Sequence, residues 1–284
     1  MNCMLGLSVL AASFNSILLR KSDANCKNTI FKFNFVCSLV WCFLLFLGNK
    51  CTWHIEISVL LWGILYGLAQ TCFMLCKTAA MSTGPVSITT LIGNSSLLLS
   101  ISVSMILWKE TITIMDILGL FILCISLFLC MYKRDEACYE SQWKYYAFLF
   151  LVLSASVGLI FKAFGRIGKL QYSGDMMLTS AIVMVLGNFF ISLFVDKGAE
   201  NKLYISKRLW IYALISGVLS CLYNRMNIFL SGSMDAIIYF PVFNGGTVLL
   251  STLLSMFFLK EKLVMKQIIG LMMGVLAICI IGFF

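Results

Sequence analysis

The side chains of this chain that could do chemistry are polar groups set inside long apolar runs, and their types suit ligand binding better than bond-making. Asn94 lies in Gly93-Asn94-Ser95-Ser96 and Asn244 in Asn244-Gly245-Gly246. An amide donates and accepts at once, so the two suit a zwitterionic or polyhydroxylated ligand. Tyr239 precedes Asn244 in the same run, and Tyr66 and Gln70 stand four residues apart, on one face of a helix. Tyr66 could stack on a ligand ring or hydrogen-bond a neighbouring helix. Arg225, in Asn224-Arg225-Met226-Asn227, and Lys77 could bind an anionic group, Arg being the better fork for carboxylate or phosphate. The bland alternative for both is that the long stem carries the charge to the membrane interface. The substrate-binding candidates are therefore Asn94, Asn244, Arg225, Tyr66, Gln70, Tyr239 and Lys77.

Catalytic sets are missing. His54 is the single histidine, so the sequence holds no H-E-x-x-H zinc motif and no intramembrane Ser/His pair, and no acidic cluster stands ready for a metal. Twelve cysteines are scattered through apolar runs, where a thiol is a small hydrophobe. Cys72 and Cys76 are one helical turn apart but lack a His or carboxylate to complete a metal set. Neither enzyme activity, nor a metal, nor a cofactor is expected.

The elements that must position these groups are membrane helices. With 61% hydrophobic and 12% charged residues and a mean hydropathy of +0.98, the chain is far more apolar than a water-soluble domain. Strand-like alternation is absent, which argues against a barrel and leaves helices to satisfy the backbone. At roughly 20 residues per crossing, ten helices are predicted, at about 2–19, 30–48, 57–76, 85–108, 112–132, 144–162, 174–195, 209–229, 234–259 and 263–283. The fold class expected is an all-α membrane protein of ten transmembrane helices. The first run begins at Met1 with no basic leader, so it is expected to be retained.

A longer pattern recurs. Lys109-Glu110 followed by Gly119 has the spacing of Lys260-Glu261 followed by Gly270, and Asn94 and Asn244 precede those pairs at distances that differ by one residue. The expected organisation is a first five-helix repeat over 1–132, a polar connector over 133–143 and a second repeat over 144–284. An odd number of crossings inverts the second copy, which puts a binding site near the midplane where the halves meet. Lys109-Glu110 and Lys260-Glu261 are expected to offset helix dipoles in tight hairpins. Gly63-x-x-x-Gly67 and Gly270-x-x-x-Gly274 read as packing notches, the latter also as a dimer face.

Five plus five helices, the Gly84-Pro85-Val86-Ser87 start of helix 4, the two Lys-Glu hairpins, and Gly119 and Gly270 resemble the drug/metabolite transporter superfamily, EamA-type ten-helix branch. The resemblance covers essentially the whole chain and implies a secondary transporter, an exporter or exchanger working by alternating access. Its substrate would be a small polar metabolite such as an amino acid or another anionic or zwitterionic compound. It implies a multi-pass protein of a cell membrane, bacterial inner or plasma membrane, whose partners are a small-molecule substrate and the lipid bilayer. No nucleic acid is expected, and the chain would be a monomer or homodimer. The sequence departs from the family pattern in two places: Met234-Asp235 replaces the Gly-Pro of the first copy, and helix 1 lacks a Trp-Gly. The alternative reading is a flippase for a lipid-linked substrate, or a membrane partner subunit without transport of its own.

Orientation divides these indications. Lys50, Lys109, Lys162, Arg166, Lys169 and Arg225 fall on the side of the termini, and the other fifteen of the 21 Lys and Arg on the opposite side. The positive-inside rule thus favours external termini, whereas the resemblance implies cytoplasmic ones. Fusions at Phe284 separate the two: a fluorescent fusion is expected to be bright, and an active phosphatase fusion would instead follow the charge count.

Overall fold

The computed structural model describes residues 1–21, 27–49, 53, 56–83, 86–130, 142–195, 207–258 and 264–283. Gly84-Pro85, His54, Lys260-Glu261 and nearly all of the polar connector lie outside the described residues. Within them the chain is helical and without strands. The helices are α1 (Asn2–Lys21), α2 (Lys27–Gly48), α3 (Ile57–Thr83), α4 (Val86–Trp108), α5 (Ile114–Cys130), α6 (Trp143–Arg166), α7 (Ser173–Val195), α8 (Lys207–Ser233), α9 (Ala236–Phe240), α10 (Gly246–Phe258) and α11 (Met265–Phe283). Seven spans among the described residues are long and apolar enough to cross a membrane, the α9–α10 run counting as one; 32–48, 114–130 and 265–281 are shorter apolar helices.

Local chemistry sets the helix ends. Lys109 takes the left-handed backbone, φ 53°, and so stops α4. At the start of α5 the Thr113 hydroxyl and backbone N–H donate to Asp116 Oδ2 at 2.7 and 2.9 Å, and Asp116 N–H donates back to Thr113 Oγ1 at 3.2 Å. This reciprocal cap satisfies donors the first turn would leave open. At the start of α11 the Val264 N–H donates to Gln267 Oε1 at 3.1 Å, half of that device on the same spacing. Between α9 and α10, Pro241–Gly245 form a π-helical turn. Pro241 has no N–H to give to the preceding turn, and the wider turn takes up one residue. The second copy has one residue more than the first between its asparagine and its Lys-Glu pair.

Close helix pairs are made by small residues. An added Cβ at Gly63 would lie 2.6 Å from Thr179 Cβ and 2.7 Å from the Met176 carbonyl, and at Gly67 2.7 Å from Val183 Cβ. The α3 notch is thus filled by α7. Gly270 and Gly274 meet α5, with Ser126 Oγ donating to the Gly270 carbonyl at 2.6 Å. This corrects the expectation of a dimer face there, because α5 of the same chain occupies the notch. The principal neighbour pairs are α1·α8, α1·α10, α2·α7, α2·α8, α3·α6, α3·α7, α4·α6, α5·α11 and α6·α8. One apolar cluster joins α2, α3, α6, α7 and α8 around Tyr66, Phe161 and Ile228; another joins α1, α4, α5, α8, α9 and α11.

Gly165 and Gly232 bring α6 and α8 to backbone contact: a Cβ at Gly165 would sit 2.4 Å from Gly232 Cα. No flexible side chain is there to yield. Gly165→Ala is expected to cost about 1–3 kcal/mol by overpacking, read as a lower unfolding temperature in detergent. Gly6→Ala, with nothing within 4 Å of the new methyl, should leave that temperature unchanged or raise it.

Candidate functional site

In hydrocarbon a polar side chain must find a partner within the protein, and α1, α3 and α8 supply one another. Asn15 of α1 donates from Nδ2 to Ser220 Oγ at 3.1 Å and accepts from Ser216 Oγ. These serines are one turn apart on α8, so the single amide bonds both. Asn224, one turn further along, gives its Nδ2 hydrogen to the Ser220 carbonyl at 2.9 Å and presents Oδ1 to the Tyr66 hydroxyl at 3.5 Å, a long hydrogen bond. The Tyr223 hydroxyl faces the same three residues, Ser220, Asn224 and Asn15. Among the described residues no charged side chain is bonded into this network.

Aromatic rings flank it. Tyr66 is buried and stacks on Phe161 of α6, centroids 4.3 Å apart and planes 10° from parallel. Tyr239 stacks on Phe243 at 5.9 Å and Phe243 meets Tyr223 at 6.3 Å, so the π turn carries an aromatic ladder toward α8. The Tyr66 hydroxyl lies within electrostatic range of those of Tyr223 and Tyr239. Among the described residues six buried polar atoms have no hydrogen-bond partner, and three of these, Gln70 Oε1, Asn227 Oδ1 and Trp41 Nε1, belong to α3, α8 and α2, the helices packed with Tyr66. Such atoms each cost about 1–3 kcal/mol when left unmet. Two acceptors and one donor, beside stacked rings, fit a ligand that brings its own hydroxyls.

The sequence candidates divide on this geometry. Tyr66 and Tyr239 are brought together, and Gln70 sits one turn beyond Tyr66 with its carbonyl oxygen unmet. Asn244 lies in the π turn, half-buried and without a hydrogen bond to any described residue. Asn94 is half-buried on α4, and Lys77 is half-buried near the end of α3. Arg225 is exposed, its guanidinium directed at the C-terminal end of α2, where a Cβ on Gly48 would be 2.7 Å from Nη1. The negative end of the α2 dipole suits that charge. Asn15, Ser216, Ser220 and Tyr223 were missed; the i, i+4 spacing of Ser216 and Ser220 was the signal that could have found that face.

A second arrangement closes the end of the bundle where α2, α4, α6 and α8 finish. Glu110, after α4, pairs with the fully buried Lys162 of α6 at 2.6 Å and with Arg166 at 2.9 Å. Its other oxygen accepts the Ala236 N–H at the start of α9 at 2.8 Å. Lys162 also donates to the Met234 carbonyl at 3.1 Å and lies 5.6 Å from the Trp108 ring centroid, and Arg166 reaches Asp235 at 3.4 Å. Nearby, Lys169 joins Glu56 before α3, and Asn49 donates to Asp175 of α7 at 3.2 Å. The Lys169 ammonium, followed by the Ser58 hydroxyl, holds the Glu56 carboxyl below the usual carboxylate range. The link therefore stands at neutral pH and is lost as pH falls through that lowered value. The dipole role expected for Glu110 is the smaller part of what it does.

Residues 4–284 match the family described as Sugar transport protein. The chain belongs to this family. It is accordingly a membrane transporter with several membrane-spanning helices, although the motifs had pointed to the EamA-type branch. No curated protein matches it. Among solved structures 29 chains match; one, described only as "Crystal structure of protein", has a TM-score of 0.75 at 14% identity, over 98% of this chain and 96% of that one. At that identity the likeness bears on the fold alone. For this Sugar transport family member, Asn15→Leu should leave the Ser216 and Ser220 hydroxyls unmet and cost about 1–3 kcal/mol. Tyr66→Phe, removing only a long hydrogen bond, should cost less than about 1 kcal/mol. Thermal unfolding of the two purified variants checks the order.

Proposed function

We propose that this transporter carries a neutral, hydroxyl-rich solute of monosaccharide size, moving it by alternating access between two inverted five-helix repeats, 1–132 and 144–284, of the EamA kind. The observation that carries the substrate reading is the uncharged network of Asn15, Ser216, Ser220, Asn224 and Tyr66, bordered by stacked aromatic rings and by unmet polar atoms at Gln70, Asn227 and Trp41. A sugar presents hydroxyls at its edge and C–H groups on its faces, so one molecule can meet both kinds of wall. The family description, sugar transport, agrees. An amino acid or other anionic substrate would want a fixed cation in the site, and Arg225 is turned instead toward Gly48.

Reciprocal contacts support the inverted repeat. With α1, α2, α3, α4 and α5 matched to α6, α7, α8, α9–α10 and α11, the neighbour pair α3·α6 becomes α8·α1, α3·α7 becomes α8·α2 and α4·α6 becomes α10·α1, while α2·α7 and α5·α11 map onto themselves. Single atoms follow the same rule. Ser13 of α1 donates to the Thr247 carbonyl of α10 at 3.3 Å, and Ser154 of α6 donates to the Gly93 carbonyl of α4 at 3.3 Å. Gly119 of α5 receives Ile281 near the end of α11, and Gly270 of α11 receives Cys130 at the end of α5. A binding site near this pseudo-axis can be presented to either side by rocking one set of helices on the other.

Uptake of labelled D-glucose and D-ribose into liposomes holding the purified chain tests the reading, with alanine, glutamate and a fluorescent lipid in parallel. Sugar movement is expected, and Asn224→Ala should lower it about tenfold, the worth of one lost hydrogen bond of roughly 1.4 kcal/mol. Movement of the amino acids alone, or of the lipid alone, would contradict it.

A further inference from the structure

The Lys-Glu hairpin was expected to do no more than finish helices, yet Glu110 holds three segments together. Its carboxylate bonds Lys162 and Arg166 at the end of α6 and the N–H of Ala236 at the start of α9, while Lys162 holds the last carbonyl of the α8 turn, Met234. Glu110 belongs to the first half of the chain and all its partners to the second. Each partner is one of the helix ends that must part if this end of the bundle is to open.

A second observation locates the same seam. Under the pairing of α1–α5 with α6–α11, the packed pair α6·α8 should have a counterpart in α1·α3, and among the described residues α1·α3 is not one of the closely packed pairs. Among the described residues this is the one principal contact that breaks the reciprocity. It lies at the charged end, where Gly165 and Gly232 touch backbone to backbone. An alternating-access carrier is symmetric in sequence pattern and asymmetric in any one state, so the odd contact marks the end that is shut.

We propose that Glu110 is the latch of that end: its charge keeps α6, α8 and α9 together, and its release from Lys162 and Arg166 is the step that lets the seam open. The inference rests on the alternating-access reading above. Lys162 is fully buried, and its ammonium is held by Glu110, the Met234 carbonyl and the Trp108 ring; with Glu110 neutral, the carbonyl, the ring and the more distant Asp235 remain. Glu110 is a positioning residue, since it acts through the helix ends and not on the solute.

Hydrogen–deuterium exchange of the full chain in lipid nanodiscs, without substrate, tests this. Glu110→Gln keeps the shape and removes the charge; exchange in peptides covering 160–168 and 232–240 should quicken about tenfold while α2 and α7 peptides stay as in the wild type, the sign of a local rather than global opening. Arg166→Gln, at a side chain 37% exposed, should fold in any case and quicken the same two peptides by a smaller factor. Unchanged exchange there in both variants, or equal quickening along the whole chain, would overturn the latch. Because this readout needs no solute, a failed sugar assay with local quickening would sink the substrate reading and leave the latch standing.

Discussion

Hydrocarbon offers no hydrogen bonds, and that scarcity governs this chain. Each polar atom taken below the headgroups must be met by another part of the protein or remain a cost of order 1–3 kcal/mol. Most of the hydroxyls within the helices meet it locally, donating to a carbonyl one turn back, as Thr71, Thr78 and Ser95 do. The exceptions reach across. Asn15, Ser216, Ser220, Asn224 and Tyr66 satisfy one another between α1, α3 and α8, so the polar interior holds those helices in register.

The same scarcity explains why the charges gather where they do. The ion pairs that join described residues involve Glu56, Glu110, Lys162, Arg166, Lys169 and Asp235, all at the end where α6 finishes. Exposed pairs such as Lys169 with Glu56 contribute little to stability. The buried pair of Lys162 and Glu110 is different in kind: losing either partner strands a charge, which makes the pair an all-or-none contact between the halves. On the proposed reading, the interior network is the binding surface and the charged end is the closure.

Much of this was written plainly in the sequence. Apolar run lengths located the helices to within a few residues for most ends, although α3 runs on to Thr83 and α8 to Ser233. The proposed repeat rests on Lys-Glu and glycine spacing; two of those glycines, Gly119 and Gly270, lie where α5 and α11 touch. Regular winding breaks at Pro241–Gly245, where a proline stands inside an apolar run. Site residues were harder to read because a helix shows its polar residues without saying which neighbour they face. Tyr66 was singled out for the helix face it shares with Gln70, and Tyr239 for its place just before Asn244, and the fold brings the two tyrosines near each other; Asn15 was passed over because serines and asparagines in α1 look like packing residues. Glu110 was understood too narrowly: helix-end rules describe one helix at a time, and its partners come from segments more than 50 residues away.

The central claim is that buried polar atoms are left unmet here for a hydroxylated solute to complete. Asn227→Leu isolates it, because leucine fills similar space and removes the unmet Oδ1. Calorimetric titration of D-glucose or D-ribose into the purified protein, with an unfolding curve for each sample, is the measurement. The account predicts a variant at least as stable as the wild type whose sugar affinity falls about tenfold. A variant that is destabilised and binds sugar as before would contradict it.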